Sequence, residues 1–353
     1  MIRAGFRRAD KKENWPQMNT DMKKITLAHG AGGNKSRELI ERVFVSRFGN
    51  AELGKLADGA VLGLDGGEYV LTTDTHVIEP IFFSGGDIGK LAVCGSINDV
   101  VVCGAKPKWM SCGFVLEEGF NVSELERIVD SIAQIAAAAG VQIVTGDTKV
   151  VGPGQADKIY INTTALGKVI GGYKPKTLTA GDKVLVTGCI GQHGSAIFND
   201  REKLLQNSQL ISDCASLDWM LEVIEKFSGA IKVMRDPTRG GLAVVLNELV
   251  SSSNCGIEID EKKLPVTEAT RSLCELVGFD AFYLPCEGRA VIIAAADAAE
   301  DVLAGLTSHS EGKESAIVGS VVEDKRERIS VKTGVGGSRI LTGTAELMLP
   351  RIC

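Results

Sequence analysis

The chain has 353 residues, 44% of them apolar, 24% charged and only 5% aromatic, the balance of a globular protein long enough for about two domains. A net charge of −6 gives no sign of a broad basic face for nucleic acid, and no apolar run approaches the ~18 residues of a membrane span. Nine cysteines scattered along the chain argue against a disulfide framework and for a reducing, cytoplasmic setting.

Residues 1–22 are basic but lack the apolar stretch of a secretory signal, so a disordered extension or a mis-assigned start is expected. Leu39, Ile40, Val43, Phe44 and Phe48 form one helical stripe over residues 35–48, closed by Gly49. Residues 69–78 are rich in β-formers and carry Asp74. The run beginning at Asp87 predicts a helix ending near Gly104 and stopped by Pro107. Ser123 and Glu126 have the spacing of a capping box for a helix over 123–139. Cys94, Cys103 and Cys112, nine residues apart, read as small core residues. Next, "VQIVTGDTKVV" predicts a buried strand entering a glycine turn.

Gly, Pro and Lys cluster at 171–182 and mark a domain boundary. Beyond it, five segments, "KVLVTG", "AIKVMRD", "GIEID", "RAVIIAAA" and "SAIVGSV", predict strands, interleaved with helices near 194–206, 217–228, 239–252, 266–277 and 297–307. Strands and helices mix in both halves, which predicts an α/β or α+β protein of two domains. The end of the chain has four glycines in the eleven residues from Thr333, then "ELMLPRIC". Such a stretch suits a swinging tail, and a terminal thiol, Cys353, is kept for reactivity more readily than for packing.

Four aspartates stand beside glycines or small residues: Asp74, Asp99, Asp147 and Asp236. Each alone suits a turn or cap; together they suit Mg²⁺, which prefers hard oxygen ligands and shares its shell with phosphates. The glycine loop "HGAGGNKS" fails the spacing of a Walker loop, yet Gly30, Gly32 and Gly33 allow close backbone approach and Lys35 opens a helix. "DPTRGGL" repeats that logic: Thr238, Arg239, Gly240 and Gly241 precede a helix and form a candidate phosphate cradle. Glu287 in "PCEGRA" reads as a surface carboxylate at a strand start or as an acid or base. His29, His76, His193 and His309 share no metal-ligand spacing and read as polar loop or cap residues.

Taken together, "HGAGGNKS", the segment from "TTDTHVIEP" through "GAKPKWMSCGFVLEEG", "VTGDTKVV", "RDPTRGGL", "PCEGRA" and "PRIC" resemble the HypE family of hydrogenase-maturation proteins, over about residues 25–353. The wider resemblance is to the superfamily of aminoimidazole ribonucleotide synthetase (PurM-like) and selenophosphate synthetase. It implies an N-terminal domain at 23–170 whose four-stranded sheet forms a β-barrel across a homodimer, a larger α/β domain at 171–338, and a mobile tail at 339–353. It further implies ATP held by the two glycine motifs with Asp74, Asp99, Asp147 and Thr148, and Mg²⁺ held by Asp74, Asp99, Asp147 and Asp236. HypF would deliver a carbamoyl group to Cys353, ATP would drive its dehydration to a thiocyanate, and the HypC–HypD complex would accept the cyanide. Glu287 and Lys149 are the motif-matched bases, Lys149 being equally a phosphate ligand. Two other readings stay open: a kinase like selenophosphate synthetase, although the glycine loop lacks that family's Cys, and a non-catalytic thiol carrier.

Overall fold

The computed structural model describes residues 22–31, 33–56, 59–205, 209–251, 253–324, 326–343 and 352. Its N-terminal half is built on a four-stranded sheet, β1 (Tyr69–His76), β4 (Ala105–Glu117), β5 (Gln142–Val151) and β6 (Ile159–Val169), in the order β1-β6-β4-β5. All neighbours are antiparallel except β4 and β5, whose parallel pairing needs the crossover helix α4 (Val122–Ala138). Before α3 (Ile88–Val102), a small ribbon of β2 (Phe82–Phe83) and β3 (Gly86–Asp87) sets Asp87 at the N-cap, where its side chain accepts from the amides of Gly89 and Lys90.

α3 has thirteen buried residues among fifteen because it is covered on all sides, by the four-stranded sheet, α4 and the C-terminal half. α4 shows instead a single buried stripe of Leu125, Ile128, Val129, Ile132 and Ala136. The first helix begins as α1 (Gly33–Leu39), loosens into a π segment at Ile40–Val45 and ends as α2 (Ser46–Phe48); its stripe packs Leu39, Val43 and Phe44 into the core as expected.

The C-terminal half carries a seven-stranded sheet. Its strands are β7 (Lys183–Val186), β8 (Ile231–Arg235), β9 (Cys255–Asp260), β10 (Val291–Ala294), β11 (Ala316–Glu323), β12 (Ile329–Lys332) and β13 (Ser338–Leu341), ordered β13-β12-β9-β11-β7-β10-β8. Helices α5 (Gln192–Glu202), α6 (Leu221–Phe227), α7 (Gly241–Val250), α8 (Glu268–Val277) and α9 (Ala299–Thr307) cover it. One apolar core runs from Ile25 through α3 and α4 to Leu217, Met220, Ile224 and Ile352, so it spans both sheets. A second core, with Val184, Leu246, Ile257 and Val331, fills the other side of the larger sheet.

Four local expectations are corrected. α3 ends at Val102 with Gly104 at φ 75°, and Pro107 lies inside β4 at a register shift, the position at which a strand tolerates a missing donor. The N-cap of α4 is Asn121, whose amide side chain bonds Glu124, so Ser123 and Glu126 form no capping box. Cys94 and Cys112 are buried but Cys103 is exposed. Finally, the glycines after Thr333 make the turn of the β12–β13 hairpin, with Gly336 at φ 94°; residues 339–341 therefore pair in a sheet instead of opening a swinging hinge. Cys353, Arg351 and Gly32 lie outside the described residues, as do residues 1–21.

Candidate active site

β1 alternates, so Leu71, Thr73 and Thr75 face outward while Thr72, Asp74 and His76 face α3. Thr72 Oγ1 donates to Asp99 Oδ2 at 2.6 Å from the facing helix. Asp74 Oδ1 is 3.6 Å from an Arg239 guanidinium nitrogen, and Asp74 Oδ2 is 3.5 Å from His76 Nε2. Arg239 leads into α7 through Gly240 and Gly241, at φ 72° and 62°. A Cβ on Gly241 would stand 2.6 Å from the Leu284 carbonyl oxygen, so this entry needs glycine both for its left-handed backbone and for its closeness to the loop that carries Glu287.

Glu287 is 2% exposed, which overturns the surface reading. Its Oε1 has no hydrogen-bond partner, and neither has Asp213 Oδ2 nor either ring nitrogen of His76. Burial pushes the Glu287 carboxyl well above the ordinary carboxylate range, and Asp236, Asp213 and Asp74 add to the push. Burial likewise lifts Asp236 to about 7, helped by Asp99 and Asp74, and raises Asp99. Asp74, Asp99, Asp236 and Glu287 thus lie within electrostatic reach of one another as a partly desolvated acidic cluster, with Arg239 beside Asp74. Buried like charges of this kind mark a place made for a cation or for proton transfer.

At the opposite edge of the sheet, β5 presents Asp147, Thr148 and Lys149. With His29, Gly30 and Ser36 they line a cavity of about 260 Å³ whose floor is apolar, Ile40, Phe44 and Phe114. A Cβ on Gly30 would meet the Val150 amide nitrogen at 2.6 Å; glycine here lets the loop lie directly on β5. His29 caps the short turn before it, Nδ1 accepting from the Thr26 amide at 2.9 Å, as expected of a cap. Lys149 Nζ sits 2.9 Å from Asp147 Oδ2, both largely exposed, and that contact holds the Asp147 carboxyl below its usual range. Lys35 pairs with Glu38 at 3.4 Å on the surface.

The expected four-aspartate metal set is therefore not assembled within one chain. Asp74 is in register with Thr163, Thr163 with Cys112, and Cys112 with Gly146, which places Asp147 three strand spacings away, about 14 Å. Among the described residues no group of three His, Cys, Asp or Glu side chains stands ready to hold a metal ion. The Asp74, Asp99 and Asp236 cluster has the donor chemistry of Mg²⁺, which takes one or two carboxylates and completes its shell with water and phosphate. Lys149 and Glu287 likewise belong to different edges.

Sequence reasoning missed the buried roles of His76, His193 and Asp213. His76 follows Asp74 by two residues in a strand, so alternation alone puts both on one face. His193 lies fully buried in the first turn of α5, where helical context signals nothing; Asp213 sits in an irregular segment and has no local signal.

The two-sheet fold with its acidic cluster falls in a class, the AIR synthase related proteins: the model of their N-terminal domain matches residues 56–169 and that of their C-terminal domain residues 179–332. Within it, the chain is 45% identical to the carbamoyl dehydratase HypE of Escherichia coli K12, over 94% of this chain and 100% of that one. A crystal structure of the hydrogenase maturation protein HypE in complex with ATP superposes with a TM-score of 0.86 at 41% identity, over 93% of this chain and 99% of that chain. HypE in a HypE–HypF complex superposes at 0.74 with 44% identity, over 86% and 98%. The chain belongs to the HypE family of carbamoyl dehydratases. No helix among the described residues is long and apolar enough to cross a membrane.

Proposed function

We propose that this chain dehydrates an S-carbamoyl group carried on Cys353 to a thiocyanate at the expense of ATP, as a step in [NiFe]-hydrogenase maturation. The observation that carries this reading is Glu287: a buried carboxyl with an unpaired oxygen, among other carboxylates, on a loop tied through Asp213 to the helix whose His193 meets Ile352, the residue bonded to Cys353. In the reaction the carbamoyl oxygen bonds to the γ-phosphorus as the bond to the ADP oxygen breaks. The carbon–oxygen bond then breaks with loss of phosphate, the nitrogen gives up its protons, and C≡N remains on sulfur. In its ionised form Glu287 takes one of these protons, its burial-raised proton affinity suiting removal from a weakly acidic N–H, and the other leaves with the phosphate. Arg239 and the amides at the start of α7 hold phosphate oxygens, as do Gly30, Thr148 and Lys149 from the other edge. Mg²⁺ on Asp74, Asp99 and Asp236 would neutralise charge moving between phosphates.

The two edges join in a homodimer. The outward face of the four-stranded sheet carries Leu71, 69% exposed, and the segment before β1 carries Val61, 81% exposed, an apolar surface suited to closing a barrel with a second copy. Closure would bring Asp147 of the second copy towards Asp74, with residues 23–170 as the dimerising domain and 171–338 as the other. HypF is the carbamoyl donor and the HypC–HypD complex the cyanide acceptor, in the cytoplasm. Mass spectrometry of the C-terminal peptide after incubation with HypF, carbamoyl phosphate and Mg-ATP tests the reading. A carbamoyl adduct on Cys353 that loses one water only when ATP is consumed is expected; ATP turnover beside an unmodified Cys353 would sink it in favour of a kinase.

A further inference from the structure

Outside the acidic cluster, one histidine reaches the last residues of the chain. His193 Nε2 lies 2.7 Å from the Ile352 carbonyl oxygen, across 159 residues. A carbonyl only accepts, so Nε2 carries the proton and donates. His193 Nδ1 lies 2.8 Å from Ser212 Oγ and must then accept from that hydroxyl, while the hydroxyl oxygen accepts from the Cys214 amide at 3.0 Å. Every polar atom of this chain of bonds is used, and the tautomer is fixed by it. Phe83 packs edge-on against the imidazole at 5.6 Å between ring centres, and the Ile352 side chain is 6% exposed within the main core.

The same segment ties the grip to the acids. Asp213, next to Ser212, accepts from the Glu287 amide at 3.1 Å and from the His193 backbone amide. Asn98, in α3, donates to the carbonyls of Ala215 and Glu287, each at 3.1 Å. Whatever holds Ile352 is therefore built on the frame that holds Glu287, and Cys353 is one peptide unit, about 3.8 Å in Cα spacing, from Ile352. A neutral imidazole is needed for one nitrogen to accept while the other donates, and burial keeps the ring in that form, its pKa lowered to about 4.

We infer that His193 is a positioning residue for the tail: with Ser212 setting its tautomer, it grips the Ile352 carbonyl and so delivers the Cys353 carbamoyl group to Glu287. This rests on the reading of Cys353 as substrate carrier. The grip itself can be read without any chemistry, from the rate at which iodoacetamide alkylates Cys353 in the full-length protein, resolved by peptide mass spectrometry. His193→Ala is expected to speed alkylation about tenfold, the worth of one buried hydrogen bond, and Ile352→Gly, which keeps the carbonyl but removes the buried side chain that packs the tail into the core, should speed it as well. His193→Gln, whose amide N–H can replace Nε2–H, should restore protection. In parallel, dehydration by His193→Ala should fall about tenfold in kcat with the KM for ATP unchanged. Equal alkylation in wild type, His193→Ala and Ile352→Gly would overturn the inference, as would a loss in His193→Ala that Gln does not rescue, which would mean general loosening. Absence of dehydration in the wild type would defeat the carrier reading but leave the alkylation result standing.

Discussion

The two edges of the four-stranded sheet make opposite use of the same residue types. At the β1 edge, Asp74, Asp99, Asp236 and Glu287 are pressed together between the two halves of the molecule, and desolvation raises Asp99, Asp236 and Glu287. At the β5 edge, Asp147 lies open to water against Lys149 and its carboxyl is lowered. The difference teaches that motifs of equal appearance in the sequence can meet opposite environments, one buried among like charges and one open to water beside a lysine; under the proposed function they are two half-sites. Their separation of about 14 Å across the sheet makes a second copy the natural way to join them.

The sharpest way to break that comparison is to remove the buried charge. Glu287→Gln keeps the shape of the side chain but can neither carry charge nor take a proton, so the fold and ATP binding should survive while dehydration falls by about 10²–10⁴; single-turnover assays of the carbamoylated tail would reveal an edge that is merely structural if activity persisted. The joining of edges is tested by mixing. Asp74→Asn and Asp147→Asn should each be nearly inactive alone. If each site draws one edge from each copy, an unfolded and refolded equal mixture should regain about a quarter of wild-type activity, since half the dimers are mixed and each mixed dimer has one intact site. No recovery would place both edges in a single-chain site.

A smaller effect comes from His193, which belongs to the buried frame. Its pKa falls from 6.5 when unfolded to about 4, so the folded protein binds fewer protons in that interval. The stability it contributes is complete above about 6.5 and lost as pH falls through about 4, roughly 3 kcal/mol in all. Urea unfolding at pH 7.5 and 4 should show the wild type losing about 3 kcal/mol more than His193→Gln; parallel losses would contradict a buried neutral ring. Smallest of all, Lys149→Met at the open edge should alter stability by less than about 0.5 kcal/mol, as for any exposed ion pair, while weakening ATP binding measurably by calorimetry. A large stability loss there would show that the β5 edge is not open.

Legibility in the sequence followed the range of the interactions involved. The α1 stripe, β1 and the five strands expected in the second half are set by alternation, periodicity and glycine chemistry within a few residues, and all appear; β5 appears too, but it runs on through Gly146 to Val151 with only Ile143 and Val144 buried, where the sequence predicts a buried strand entering a glycine turn. Pro107 and the glycines after Thr333 were misleading, because a proline at a bulge and glycines at a hairpin turn have the same local appearance as a helix stop and a hinge. α3 gives no face because it is buried all round.

By itself, then, the sequence determined the mixed fold, the acids, the two glycine entries and the terminal thiol, since each is a matter of residue type and near-neighbour spacing. Only the tertiary structure decided that Asp147 stands apart from the other three aspartates, that Glu287 is buried rather than exposed, and that His193 meets Ile352. Strand order, desolvation and a contact across 159 residues arise from chain segments packed together in space, and no local pattern encodes which segments those are.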